Sequence, residues 1–202
     1  MVGSSLEQLQ MSLGSPPTDV PGLIYVQDFL TTAEEAALVQ IIEGQPWSAE
    51  LRRRVQHYGW RYDYRRRAAE ASMYLGPLPA WAAELAHRLA HHGLTPGLSD
   101  QVIVNEYVES QGISRHIDCV PCFADGVATI SLLQSWEMVF TEEHGERRKV
   151  RQLLERRSVA VLTGAARYGW AHEIPSRLVE PTGLRRQRRL SVTFRKVRAA
   201  GQ

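Results

Sequence analysis

The sequence has few cysteines and no long apolar run. Its 202 residues include only two cysteines, Cys119 and Cys122, which excludes a framework of several disulfides. No run of about 18 or more apolar residues occurs, so no membrane span is predicted. Residues 1–20 lack the basic start and apolar stretch of a secretory signal, and we expect them to form a loosely ordered tail. These absences predict a cytoplasmic protein.

Lysine is also scarce, so the basic charge is carried almost entirely by arginine. Lysine stands only at positions 149 and 196, which makes 22 of the 24 basic residues arginine. Many of the arginines are clustered, as at 52–54, 65–67 and 185–189. Guanidinium groups bind phosphates through paired hydrogen bonds, so the clusters are consistent with a nucleic-acid partner. Solvated charges on surface loops would give the same pattern.

The spacing of the two cysteines, Cys119-Val120-Pro121-Cys122, is open to three interpretations. Such a pair can be redox-active, can supply half of a zinc site, or can pack without a chemical role. No second cysteine pair is present to complete a zinc site. Simple packing, beside the His116-Ile117-Asp118 segment discussed below, is therefore the favoured interpretation.

Composition and periodicity predict one α+β domain over residues 21–202. Hydrophobic residues make up 44% of the chain and charged residues 23%, as in ordinary globular proteins. Helical spacing predicts helices over 34–43, capped by Thr31 or Thr32, and over 79–92, with Gly93 after the end. Short apolar runs then predict strands at 101–107, 127–133, 137–140, 158–163 and 189–197. Helices followed by strands indicate a sandwich or barrel in the second half.

Two histidines and one aspartate have the pattern of a metal site. His116 and Asp118 are two positions apart, so their side chains share a face of an extended chain, and His172 follows on a later strand. Two imidazoles and one carboxylate occupy one face of an octahedron and leave positions open, as in non-haem Fe(II) oxygenases. A His-X-Asp pair also occurs by chance. The remaining histidines are interpreted as packed or surface residues: His57, His87, His91, His92 and His144.

Two arginines near the end of the chain strengthen this interpretation. Arg189 and Arg195 flank the sequence Leu-Ser-Val-Thr-Phe, and strand alternation places residues 189, 191, 193 and 195 on one side. Two cations that point inward are costly unless they meet anions. A dicarboxylate cosubstrate would supply those anions. Two exposed arginines on an edge strand are the alternative, which the metal pattern disfavours.

Together these residues resemble the AlkB family of 2-oxoglutarate dioxygenases. The motifs that carry the resemblance are Asn105-X-Tyr107, His116-X-Asp118, His172 and Arg189-X5-Arg195. The similarity spans about residues 100–197 and, more loosely, the helices before them. It implies a double-stranded β-helix, or jelly roll, backed by N-terminal helices. It also implies Fe(II) as the metal, with 2-oxoglutarate and O2 as cosubstrates.

The resemblance assigns two sets of residues. The catalytic iron ligands are His116, Asp118 and His172. The residues expected around 2-oxoglutarate are Asn105, Tyr107, Arg189, Ser191 and Arg195. Arg189 would bind the distal carboxylate with help from Tyr107 and Ser191, while Asn105 and Arg195 would lie by the end that chelates iron. Such enzymes convert 2-oxoglutarate to succinate and CO2 while hydroxylating a substrate C–H, and an N-methyl group is then lost as formaldehyde.

An aromatic segment before the core is the expected substrate-recognition lid, over residues 47–75. Aromatic residues stand at 58, 60, 62 and 64, which would share one face of a strand. Aromatic faces stack on bases, and neighbouring arginines attract phosphates. The residues expected to bind substrate are Tyr58, Trp60, Arg61, Tyr62 and Arg65. Packing of these aromatics onto the core has nearly equal support.

The expected function is oxidative dealkylation of nucleic-acid bases by a monomer without membrane association. The best-known DNA-repair members have an acidic residue two positions after the ligand aspartate, where this sequence has Val120. Other stretches are more similar to the tRNA-modifying branch, which hydroxylates a wobble-uridine side chain. Three alternatives stay open: that tRNA hydroxylation, hydroxylation of a protein or small molecule on the same iron centre, or a catalytically silent jelly roll that only binds nucleic acid.

Overall fold

The structure is a computed structural model that describes residues 18–49, 52–63 and 71–198. The helices of this part are α1 (Thr32–Glu43), α2 (Ala80–His91) and α3 (Gly164–Tyr168), and a 3-10 turn covers Ala71–Met73. Its strands are β1 (Leu23–Val26), β2 (Val55–Tyr58), β3 (Gln101–Val108), β4 (Ile113–His116), β5 (Val127–Leu132), β6 (Trp136–Glu142), β7 (Lys149–Leu154), β8 (Val159–Leu162), β9 (Trp170–Ile174) and β10 (Arg188–Arg195).

The strands form two antiparallel sheets of a jelly roll. The larger sheet has the order β1-β8-β5-β10-β3-β2, and the smaller has the order β4-β9-β6-β7. One apolar cluster lies between the two sheets and includes Tyr107, Trp136 and Phe140. A second cluster packs α1 and α2 against the outer face of the larger sheet and includes Ile42, Leu89 and Phe194. The predicted α+β jelly roll with supporting N-terminal helices is confirmed.

The two long helices begin and end where the sequence indicates. Thr31 caps α1: its hydroxyl accepts the backbone N–H of Glu34, and the Glu34 carboxylate accepts the backbone N–H of Thr31. Helix α2 begins after Pro79 and is followed by Gly93, whose φ of +67° suits glycine. Apolar residues of both helices face the larger sheet.

Most predicted strands are confirmed to within a few residues, but β1, β4 and β7 were missed. The four residues of β1 form too short an apolar run to distinguish from a loop. In β7 the residues are mostly exposed or half-buried, because this strand lies at the edge of the smaller sheet. Strand β4 carries irregular pairing between Ile113 and His116, which obscures a two-residue period.

The prediction of one continuous aromatic strand over 58–64 is wrong. Strand β2 ends at Tyr58, and Gly59 has a φ of +74°. A Cβ atom at Gly59 would lie 1.9 Å from the carbonyl oxygen of Asp100, so the chain turns at a position that only glycine tolerates. Residues 64–70, including Arg65, lie outside the described part of the chain. Within the described part, no helix has the length and apolar character needed to cross a membrane.

Candidate active site

Strands β4 and β9 place the two predicted histidine ligands directly opposite each other. His116 pairs with His172 in the register of the smaller sheet, and their ring centroids are 4.4 Å apart. Asp118 follows β4, with its Oδ2 3.7 Å from Nε2 of His172. One ligand atom from each of the three residues lies within 4.8 Å of the others. Among the described residues no other such group of three metal-binding side chains occurs.

The protonation states of the three residues suit a divalent metal. Nδ1 of His116 lies 2.8 Å from the carbonyl oxygen of Ser114, so it donates a proton there and leaves Nε2 free to bind metal. Burial, followed by the neighbouring His116, lowers the pKa of His172 to about 3, so its imidazole is neutral. Burial alone would raise the pKa of Asp118, but the charges of Arg195 and of further neighbours, including Arg167, together outweigh it and the pKa falls below its ordinary value. Two imidazoles and a carboxylate arranged in this way therefore fit Fe(II).

The loop after Asp118 is held by a buried arginine that the sequence analysis did not identify as a site residue. Arg167, on α3, donates from Nη1 to the carbonyl oxygen of Asp118 at 2.9 Å. Its Nη2 donates to the carbonyl oxygens of Cys119 and Phe123 at 3.2 Å each. Three carbonyl bonds from one side chain fix the loop, and with it the backbone of the predicted ligand Asp118. A lone arginine in a short helix gives no sequence signal of this role.

The two cysteines lie in the same loop and are joined to each other by a disulfide. The expectation that the two cysteines only pack beside the site, without a bond between them, is therefore wrong. Both are buried and form a small cluster with Phe123 and Val197, against which Trp60 also packs. The packing part of the interpretation is confirmed. Cysteines three residues apart are close enough to bond when a loop turns between them, but the spacing alone did not distinguish bonding from packing.

A cavity of about 340 Å³ lies between the two sheets and contains the three predicted ligands. The inward side of β10 forms one wall through Arg189, Ser191, Thr193 and Arg195, while Leu190, Val192 and Phe194 face the helices. The predicted alternation of β10 is confirmed. A cavity of this volume is within the usual range of about 300–1,000 Å³ for small-molecule sites.

Arg189 is a buried cation without an acidic partner in the described part of the chain. Its Nη2 donates to the Ser131 hydroxyl at 2.8 Å, while its Nε is buried and makes no hydrogen bond there. Burial lowers the pKa of Arg189 to about 10, which leaves it charged at neutral pH. A charge held in this way is costly unless a ligand neutralises it. The arrangement therefore fits a carboxylate, as a dicarboxylate cosubstrate would provide.

The remaining residues expected around the cosubstrate line the same cavity. Tyr107 is buried next to Arg189, whose guanidinium carbon lies 5.7 Å from the ring centroid. Asn105 precedes it on the inward face of β3 and pairs in register with Ser191. Arg53, which in the sequence is marked only as part of the arginine cluster 52–54, also lines the cavity. At the end of the cavity that holds the predicted metal ligands, the guanidinium of Arg195 donates a hydrogen bond to the carboxylate of Asp118.

The residues predicted to bind substrate are separated by the turn at Gly59. Tyr58 packs edge-on against Trp81 at a centroid distance of 5.3 Å and is part of the helix-facing core. Trp60 contacts the Tyr74 ring at 4.9 Å, and Arg61 is exposed. Of the five predicted residues, the described part brings only Tyr62 into the lining of the cavity, where it packs on Phe123 at 5.4 Å. Arg65 lies outside the described residues.

A jelly roll with a two-histidine, one-carboxylate centre and a buried arginine in the same cavity defines a non-haem iron oxygenase that uses a dicarboxylate cosubstrate. A family profile for the 2OG-Fe(II) oxygenase superfamily matches residues 22–195. The chain belongs to this superfamily and is an AlkB-like member of it. It is thus an oxidoreductase with Fe(II) as cofactor and 2-oxoglutarate and O2 as cosubstrates.

Its relatives include several AlkB homologues. An Arabidopsis thaliana protein, "Alkylated DNA repair protein ALKBH8 homolog", is 32% identical over 93% of this chain and 62% of its own length. The Xenopus tropicalis "tRNA (carboxymethyluridine(34)-5-O)-methyltransferase alkbh8" is 30% identical over 90% of this chain and 32% of its own length. The chain therefore spans less than two thirds of either relative. Human "Alpha-ketoglutarate-dependent dioxygenase alkB homolog 4" is 28% identical over 89% of this chain and 68% of its own length.

Solved structures share the fold at lower sequence identity. The structure of OsALKBH1 superposes with a TM-score of 0.66 at 18% identity and covers 87% of this chain and 97% of that one. A Pseudomonas putida prolyl-4-hydroxylase superposes with a TM-score of 0.60 at 15% identity, covering 97% of this chain and all of that one. These similarities show a common jelly roll and nothing about the substrate.

Proposed function

We propose that this enzyme oxidises alkyl groups on nucleic-acid bases and removes N-alkyl groups as aldehydes. The observation that carries the proposal is the position of the Tyr62 ring, which lines the same cavity as the iron ligands. A flat aromatic side chain in the wall of this cavity is suited to stack on a flat base. Such a base would have to leave its strand to reach a site between two sheets. The names of the AlkB relatives support the same substrate class.

In this proposal the chain's own residues bind and orient the reactants. His116, Asp118 and His172 hold the iron, which when bound supplies the coupled oxidation of 2-oxoglutarate and of the substrate C–H bond. Arg189 neutralises the distal carboxylate of 2-oxoglutarate, since it is a buried cation in the cavity wall that forms no ion pair with the described residues. The apolar side chains of Met138 and Ile174 line the same cavity and limit the access of water.

At the metal end of the cavity, Asn105 and Arg195 are proposed to act around the chelating end of 2-oxoglutarate. Arg195 is already engaged with Asp118, so its main effect there is to orient the ligand carboxylate. Ser191 lies between Arg189 and Arg195 on the inward face of β10 and offers a hydroxyl to the cosubstrate. Tyr107 closes the wall beside Arg189.

Hydroxylation of a wobble-uridine side chain in tRNA is the second candidate. Its supporting observation is Val120, a 40% exposed apolar residue two positions after Asp118. The side chain of valine cannot accept a hydrogen bond from the exocyclic amine of an adenine or cytosine, as an acidic side chain can. The relative whose name refers to tRNA carboxymethyluridine is consistent with this second candidate. The two candidates differ in product, because a hydroxylated carbon side chain stays on the base.

Mass spectrometry of nucleosides tests both candidates. The protein is incubated with Fe(II), ascorbate, 2-oxoglutarate and either N-methylated oligonucleotides or total tRNA, and His172→Ala provides the inactive control. Dealkylation predicts loss of a methyl group with one formaldehyde per succinate. Hydroxylation predicts a product heavier by one oxygen atom and no formaldehyde. Succinate formation coupled only to peptides or small molecules would refute a nucleic-acid substrate.

A further inference from the structure

Arg53 connects the segment before β2 to the wall expected to hold 2-oxoglutarate. It lines the cavity together with Asn105 and Tyr107 of β3. Its Nε donates to Oδ1 of Asn105 at 2.8 Å, and its guanidinium carbon lies 5.8 Å from the centroid of the Tyr107 ring. Arg53 therefore contacts two residues that are expected around the cosubstrate, although no motif of the sequence marks it.

The bond from Arg53 determines which end of the Asn105 amide faces the cavity. A guanidinium group has only donors, so the Asn105 atom that it contacts is the oxygen. The amide nitrogen then makes no hydrogen bond with the described residues, while Asn105 lines the cavity. Its two N–H groups are available to a molecule in that cavity. If the amide turned over, its oxygen would face the cavity instead.

The donor orientation matters because 2-oxoglutarate offers only acceptors. Its two carboxylates and its keto group have no N–H or O–H at neutral pH, so an amide nitrogen can bond to them and an amide oxygen repels them. Asn105 alone could adopt either orientation, since the two ends of a primary amide have almost the same shape. Arg53 removes this ambiguity before the cosubstrate binds.

We infer that Arg53 is a positioning residue for 2-oxoglutarate, which acts by fixing the amide of Asn105 with its nitrogen toward the cavity. The inference rests on the proposed place of Asn105 beside the cosubstrate. It also gives the segment before β2 a role at the cosubstrate, because Arg53 stands two residues ahead of that strand. Arg53 itself need not touch 2-oxoglutarate.

Calorimetric titration of 2-oxoglutarate into the Mn(II)-loaded protein tests this role without turnover. The variants are Arg53→Gln, Asn105→Ala and the double variant, compared with the unaltered protein. Since Arg53 acts through Asn105, the Kd rises on the order of tenfold in each single variant, as expected for a hydrogen bond to a charged group. The double variant binds no more weakly than Asn105→Ala, because the two changes remove the same interaction.

Two further variants test the amide donor and exclude general damage. Asn105→Asp keeps an oxygen for Arg53 but offers no N–H to the cavity, so it weakens binding at least as much as Asn105→Ala. Arg52→Gln changes an exposed neighbour whose backbone carbonyl, rather than its side chain, accepts a bond from Gln111, and its Kd is unchanged. Circular dichroism confirms that each variant is folded.

Several outcomes would overturn the inference while leaving the oxygenase assignment intact. These are an unchanged Kd in Arg53→Gln, full affinity in Asn105→Asp, or multiplied effects in the double variant. Normal affinity in Asn105→Ala would overturn the inference, and with it the proposal that Asn105 binds 2-oxoglutarate. Failure of the unaltered protein to bind 2-oxoglutarate would overturn the proposed function as well, and this result is distinct from the others.

Discussion

Arg195 forms an ion pair with the metal-ligand candidate Asp118, with Nη2 and Nε at 2.7 Å and 3.0 Å from the same oxygen, Oδ1. The other oxygen, Oδ2, is the one that faces His172. The carboxylate is therefore held by one oxygen and presented to the metal by the other. Oriented ligands of this kind depend on the residues behind them.

Replacing Arg195 is expected to weaken metal binding without removing a ligand. In Arg195→Met, Oδ1 of Asp118 loses its partner and the carboxylate is free to rotate away from the histidines. We expect Mn(II) affinity to fall by about 10- to 100-fold, the usual effect of losing a group that orients a ligand. Calorimetry of the purified apoprotein measures this affinity. An unchanged affinity would show that Asp118 is oriented by other contacts.

Removing a ligand is expected to have a larger effect. His172→Ala leaves one histidine and one carboxylate, too few to hold Fe(II) in the required geometry. Metal binding and coupled succinate formation should both be lost, while the melting temperature stays close to that of the unaltered protein without metal. The control is His144→Ala, which changes an exposed histidine outside the site. Ordinary turnover by His172→Ala would contradict the metal assignment.

Arg189 is expected to determine the affinity for 2-oxoglutarate. Arg189→Met removes the cation proposed to meet the distal carboxylate and should cost about 2–5 kcal/mol of binding free energy, as for a buried charge pair that loses one partner. The KM for 2-oxoglutarate should rise far more than that for nucleic acid. Arg188→Gln is the matched control, because the adjacent arginine faces the opposite side and pairs with Glu106. A KM unchanged by Arg189→Met would argue against its assignment.

The aromatic residues of the expected lid should divide into two groups. Tyr62→Ala is expected to weaken nucleic-acid binding by about 1–3 kcal/mol, the usual contribution of one base stack, and Tyr62→Phe should keep most of that affinity. Trp60→Ala should act mainly on stability, because its ring packs on Tyr74 and on the disulfide cluster. Anisotropy titrations and thermal melts separate the two effects. The division would be wrong if Trp60→Ala lost affinity and kept its melting temperature.

The cap of α1 predicts a pH-dependent contribution to stability. A side-chain hydrogen bond from Arg88, followed by the backbone N–H of Thr31, lowers the pKa of Glu34 from 4.5 to about 2. A carboxylate whose pKa is lowered by folding stabilises the fold fully at pH values above the pKa of the unfolded chain. This contribution is lost as the pH falls through the folded pKa of about 2. Glu34→Gln should therefore be less stable at pH 7, by about 0.2–1 kcal/mol because the pair is solvent-exposed.

Urea denaturation at several pH values measures this difference. The free energies of unfolding of Glu34→Gln and the unaltered protein should differ at pH 7 and converge on acidification from about pH 4.5 to about 2. Glu84→Gln, which makes the same replacement at an exposed carboxylate on α2, is the control for the substitution itself. A difference that stays constant across this range would show that the Glu34 carboxylate charge does not contribute.

The sequence was sufficient to predict the shared face of His116 and Asp118 and the inward face of β10, because both follow from the alternation of side chains on extended chain. His116 and Asp118 share a face only on extended chain, and Arg189 to Arg195 alternate with the apolar residues of the helix-facing core. The two long helices were predictable for a similar reason, since their apolar spacing and caps are local signals.

Features that depend on tertiary contacts were not predictable in this way. The aromatic segment had the period of a strand, but a close approach to Asp100 requires a turn at Gly59. Arg167 and Arg53 act through backbone carbonyls and an amide that are distant in sequence, so no local pattern marks them. The bonding of Cys119 to Cys122 likewise depends on the path of the loop between them.

The pairing of His116 with His172 across β4 and β9 has a consequence for folding kinetics. These strands are far apart in sequence, and β5, β6, β7 and β8 lie between them along the chain. Contacts of such long range form slowly, because the entropy of closing the intervening loop is lost before the contacts are gained. The proposed iron ligands therefore meet only when the smaller sheet is assembled, and tight metal capture during refolding should lag behind the formation of the helices.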